Sequence, residues 1–108
     1  MEYRGEIRGG VCGLQTTVKV ASTDGMSVTV RVESSCPLVN KMAAELTTLD
    51  ALDEIMRRPY IETTPALLSA KHKLHTTCVV PVGILKAVEA AAGFALAGEA
   101  GIKLTPPE

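Results

Sequence analysis

The sequence predicts an α+β fold: an N-terminal antiparallel β-hairpin or meander packed against three to four helices, with the longest helix C-terminal. Three observations carry this expectation. Apolar residues alternate with period two from Leu14 to Glu33, the period lengthens to that of a helix after Cys36, and Pro81 opens the longest apolar stripe. The 108 residues read as a single domain, 1–108.

Taken in order, Tyr3–Arg8 is a short mixed run suited to an edge strand, followed by the glycine-dense loop Gly9-Gly10-Val11-Cys12-Gly13. Leu14, Thr16, Val18 and Val20 then share one face, as do Met26, Val28, Val30 and Val32, with Asp24-Gly25 as the hairpin signal between them. Parity constrains that turn. If Val20 and Val28 face one core, the numbers of every cross-strand pair sum to an even value. A three-residue loop Thr23-Asp24-Gly25 that pairs Ser22 with Met26 meets the condition, with Gly25 in the left-handed position.

Pro37 suits a first helical turn, and Leu38, Val39, Met42, Ala43 and Leu46 recur at helical spacing behind it. A second helix is expected from about Asp50, with Leu52, Ile55 and Met56 inward, until Pro59 stops it. Thr64-Pro65 reads as the cap and first turn of a third, through Ala66–Ala70. The last and longest helix starts at Pro81, presents Ile84, Leu85, Val88, Ala91, Ala92 and Ala95 as a stripe, and is expected to stop at Gly98. Ile102 and Leu104 suit a short closing strand before Pro106-Pro107.

Composition excludes several function classes. Eleven basic residues balance twelve acidic ones, so no net field draws in nucleic acid or an anionic membrane. Phe94, Tyr3 and Tyr60 are the only aromatics, too few for a base-stacking surface. No apolar leader precedes the first strand, and the longest apolar run, Ala90–Gly98, is far short of the ~20 residues that span a bilayer. The expectation is a cytoplasmic protein, bound to neither nucleic acid nor membrane.

Three cysteines make an odd number, and without an export signal a disulfide framework is not expected. All three fall at junctions: Cys12 between glycines, Cys36 ahead of Pro37, Cys78 ahead of the last helix. A free cysteine is often a small buried hydrophobe. Three at loop-to-helix junctions instead favour a shared site, although the spacing contains no CxxC. His75, three residues before Cys78, is the candidate fourth ligand. Cys12, Cys36, Cys78 and His75 would satisfy tetrahedral zinc, and three thiolates with one variable position suit an iron–sulfur cluster. His72, between two lysines, reads as a solvated surface residue, and Asp53-Glu54 as a solvated helix face.

GVCGLQTTV, ESSCPLV and HTTCVVPVGILKAVEAAAGFALAGEAGIKL together resemble a family of small uncharacterised three-cysteine proteins of anaerobic bacteria and archaea. Its pattern is a GVCGF-type start, an S-x-C-P middle and an H-x-x-C-P-V-P segment leading into an alanine-rich helix. The likeness covers nearly the whole chain and is weakest over Asp50–Lys73. It departs at Val79, where the family often has proline, and at Ala97. The resemblance implies that Cys12, Cys36, Cys78 and His75 belong together, and an anaerobic setting favours iron–sulfur chemistry.

The leading expectation is therefore a small metal- or iron–sulfur-binding protein, with an iron–sulfur cluster first and a closed zinc site second. A thiol-based redox protein or enzyme is the alternative, with Cys36 activated at a helix N-terminus, His75 as its base and a redox protein as partner. A third reading is a non-catalytic interaction module. Its small-residue helix Lys86–Leu96, with Gly93 inside, either packs in its own core or supplies a homodimer face. No GxGxxG, Walker or HExxH pattern supports nucleotide hydrolysis or zinc-protease chemistry.

Overall fold

Alternating valines bury one face of a sheet and leave the other to water. The computed structural model describes residues 1–107, and in it β1 (Glu2–Arg8), β2 (Gln15–Ala21), β3 (Ser27–Ser34) and β4 (Thr48–Asp50) form an antiparallel meander in chain order. Val18, Val20, Val28 and Val30 are buried on one side. Tyr3 and Ile7 of β1 pack against the same core. Glu2, Arg4, Glu6 and Arg8 alternate with them on the solvent side.

The hairpin keeps the expected parity but not the expected closing pair. Val20 stands opposite Val30 and Ala21 opposite Thr29, a register shifted by two residues from one that pairs Ser22 with Met26, so the connection is longer. Side chains take over the missing rungs. Ser22 Oγ accepts the Gly25 N–H at 3.0 Å and donates to the Ser27 carbonyl at 2.9 Å. The Asp24 carboxylate accepts the N–H groups of Met26 and Ser27, at 2.8 and 2.9 Å, which hold its pKa below the usual value. Gly25 has φ of +73°, the left-handed position expected of it.

The helices α1 (Pro37–Ala43) and α3 (Val80–Ala91) cover the valine face, and α2 (Thr64–Lys71) packs against α3. Val39 and Met42 of α1, Leu46, Leu49 of β4, and Ile84 and Val88 of α3 complete the core. Each fully buried side chain of this size contributes about 1.5–3 kcal/mol. The helix α3 runs antiparallel to β1. Near its start, Gly83 lies against Ile7 so closely that a Cβ there would be 2.4 Å from Ile7 Cδ1, and just past its end Gly93 lies beside Met1.

The end of α3 corrects the expectation of a stop at Gly98. Gly93, at φ of +80°, donates to the Ala90 carbonyl, and Phe94 donates to the Glu89 carbonyl, both at 3.0 Å. This paired closure is a Schellman motif, so the first glycine able to enter the left-handed region ends the helix. Ala95 therefore lies outside the helix, and Gly93 is its stop rather than an interior residue. The closing strand expected at Ile102 and Leu104 does not form; both residues are exposed in a segment without regular secondary structure.

Between β4 and α2 the chain forms a π-helical turn, Leu52–Arg57, and a 3-10 turn, Tyr60–Glu62. The wider π spacing rotates the faces away from a 3.6-residue pattern, so Met56, expected inward, is exposed and Glu54 is buried. Glu54 is thus no solvated residue. One carboxylate oxygen accepts the Thr64 N–H at 2.8 Å; the other accepts the Thr64 hydroxyl and meets Arg58 Nη1 at 3.2 Å. An anion at the first turn of α2 satisfies its free amides and opposes its dipole. Glu54→Ala leaves the Thr64 N–H and hydroxyl without their acceptor, while Arg58 keeps Asp53 at 2.6 Å, and urea unfolding should show a loss of about 2 kcal/mol.

Candidate thiol site

The cysteines come from three connections that meet at one end of the sheet. Between β1 and β2, Gly9 N–H reaches the Leu14 carbonyl at 3.0 Å and Gly13 N–H the Gly10 carbonyl at 2.9 Å, closing a tight turn. Gly10 and Gly13 both have positive φ, at 79° and 69°. Cys12 is exposed on this turn with its thiol folded over Gly9, where a Cβ would come within 2.2 Å of Sγ. Glycine at position 9 therefore sets the thiol's position rather than the backbone's, since its φ is an ordinary −78°.

Cys36 lies at the entry to α1 in extended conformation, directly before Pro37. Its N–H donates to Ser34 Oγ at 3.0 Å, and its carbonyl accepts the Asn40 N–H at 3.1 Å. The neighbouring Ser35 ties this junction to the start of β2: its N–H donates to the Gln15 carbonyl at 3.0 Å and its Oγ accepts the Gln15 N–H at 2.9 Å. Gln15 in turn follows the Cys12 turn, so the two loops are held side by side.

Cys78 closes a turn through its N–H to the His75 carbonyl at 3.0 Å, just ahead of α3. Like Cys36, it is half-buried and packs against the core. Burial pushes the Cys78 thiol up, the Val80 N–H opposes that, and the charges of Cys36 and Cys12 push it further up. Cys78 is thus within electrostatic reach of both Cys36 and Cys12. Tyr60, from the 3-10 turn, joins them: its phenol is raised first by burial and then by the charge of Cys78.

His75 is exposed, with Nδ1 3.3 Å from Thr77 Oγ1. His72, expected to be solvated, instead makes a hydrogen bond to Glu45, which also holds Lys71 Nζ at 2.6 Å. The Lys71 and His72 hydrogen bonds lower the Glu45 carboxyl. Among the described residues, no three His, Cys, Asp or Glu side chains are arranged as a metal-holding group. The thiols are neighbours without being gathered around one point.

Tyr60 escaped sequence reading because it lies in the segment with the least periodicity, and nothing in its local sequence links it to Cys78. A raised thiol pKa has a direct chemical consequence. Cys78 stays protonated through neutral pH, so iodoacetamide should modify exposed Cys12 first and Cys78 last, with the Cys78 rate rising at higher pH than for a free thiol. Mass mapping of partly alkylated protein at stepped pH checks the order.

No helix among the described residues is long and apolar enough to cross a membrane. Neither curated proteins nor solved structures gave a match to this chain. Residues 3–104, from within β1 to the segment beyond α3, match a family of unknown function, DUF6951, and the chain belongs to that family.

Proposed function

We propose that this protein binds an iron–sulfur cluster through Cys12, Cys36 and Cys78, with the fourth position open or taken by His75. The observation that carries the reading is that Cys36 and Cys12, from two other connections, both act electrostatically on Cys78. Negative charge on Cys36 or Cys12 favours the protonated form of Cys78. A bound metal centre reverses that balance, because a coordinating thiol is deprotonated outright.

The donor set decides between metals. A single zinc ion with Zn–S bonds near 2.3 Å needs tetrahedral sulfurs about 3.8 Å apart and a fourth ligand. The thiols are not gathered that tightly, and the His75 ring is directed to Thr77. A cluster takes cysteines on separate irons and spreads them wider, which suits loops that approach without closing on one point. The protein's own part is to hold three sulfurs at one end of the sheet, two against apolar core and one on a glycine turn. Burial at Cys36 and Cys78 limits water there, and exposed Cys12 leaves one side accessible.

Anaerobic purification with iron, sulfide and zinc assays on one sample tests this. Brown protein containing iron and acid-labile sulfide is expected, with both lost in Cys12→Ser, Cys36→Ser and Cys78→Ser. Gly9→Ala keeps every cysteine and an allowed backbone but displaces the Cys12 thiol. It should weaken loading about tenfold, the lower end of what residues supporting a ligand cost. Zinc without sulfide would select the closed Cys3His site. A colourless, metal-free protein with three titratable thiols would reject both centres and favour Cys36 as a reactive thiol.

A further inference from the structure

The segment after α3 carries apolar side chains with nothing to bury them. Leu96 is 97% exposed, Ile102 83% and Leu104 88%. Ile102-Lys103-Leu104 has the period of a strand, apolar on one side and cationic on the other. The sheet meanwhile ends in β1, whose outer edge pairs with no strand among the described residues. Seven residues of unpaired edge beside a half-buried Tyr3 and Ile7 form a template for an added strand. The family match extends through Leu104, so this arm is part of the shared domain and not an appendage to it.

We propose that Ile102–Leu104 of one copy adds to the β1 edge of a second copy, reciprocally, making an arm-exchanged dimer. Direction favours the second copy over the chain's own edge. The helix α3 ends beside Met1, so the direct course of the arm along its own β1 is parallel to that strand. A second copy accepts it antiparallel, the more stable ladder.

One antiparallel register satisfies both faces. With Leu104 opposite Gly5, Ile102 falls opposite Ile7 on the core side and Lys103 opposite Glu6 on the solvent side. Glu6 is exposed and 3.5 Å from Arg4, which leaves it open to a second cation. Pro106 then ends the added strand, having no N–H to give. Reciprocal exchange engages Ile102–Leu104 and Gly5–Ile7 on each copy, so every contact is made twice.

Sedimentation equilibrium across micromolar to hundreds-of-micromolar protein tests the pairing, on the metal-free protein so that the result is independent of any cluster. The wild type should be a dimer, and Ile102→Asp with Leu104→Asp a monomer of unchanged circular dichroism that melts like the wild type at dilutions where the wild type is itself monomeric, since both residues are exposed in the single chain. Lys103→Glu should weaken the dimer about tenfold, and Lys103→Glu with Glu6→Lys should restore it. A monomeric wild type overturns the proposal. So does a dimer that survives the double aspartate variant, or a charge swap that restores nothing.

Discussion

The antiparallel lie of α3 across β1 and β2 is the constraint on which the rest of the structure depends. It is possible because Gly83 has no side chain, so the helix can seat Ile7 against its backbone. That seat fixes both ends of the helix at once. Its start falls at the end of the sheet that holds the Cys12 turn and the Cys36 junction, and its end falls beside Met1. The Cys12 and Cys36 loops, 24 positions apart in sequence, are held side by side by the Ser35–Gln15 bonds, and the start of α3 brings Cys78, 42 positions further on, to the same end. A Cβ at position 83 acts on Ile7 directly and on the thiols only through the tilt of α3.

Electrostatics at the thiol end reads as tension held in check by protons. Cys78 receives one favourable contribution, the Val80 N–H at the opening of α3, and burial and two like charges outweigh it. A helix N-terminus alone is thus a poor guide to thiolate character when the sulfur is also packed against a core. The same reasoning separates Cys78 from a redox nucleophile, which needs a thiolate at neutral pH. Under the proposed reading a bound cation takes the place of the Cys78 proton.

Much of the fold was legible because long-range burial imposes strict periods. Val18, Val20, Val28 and Val30 announce a one-sided sheet, and the parity of their numbers sets the hairpin faces without any coordinate. Pro37 and the stripe through Ile84 and Val88 announce helices. Legibility failed where a local alternative outcompeted the period. Gly93 and Gly98 both suit a helix end, and only the carbonyls of Ala90 and Glu89 decide between them. Glu54 was misread because a π turn moves buried positions off the helical pattern, and because its partner Thr64 is ten residues away. Of the site, the three cysteines were legible as residue types at junctions, while their meeting depends on the tilt of α3 and Tyr60 left no trace in sequence.

The two proposed features, at opposite ends of α3, are joined by register. An arm that sets Leu104 beside the second copy's Gly5 and Ile102 beside its Ile7 carries Gly101 past Arg8 and Ala100 to Gly9. That is the turn over which the Cys12 thiol is folded. The dimer would thus cover the one exposed cysteine with glycine and alanine backbone from the second copy. Covering it removes water from the accessible side of the thiol group, and lower local polarity strengthens every charge interaction there. Arm exchange and metal binding would then be thermodynamically linked: whatever binds the thiols more tightly in the covered state also tightens the dimer by the same factor.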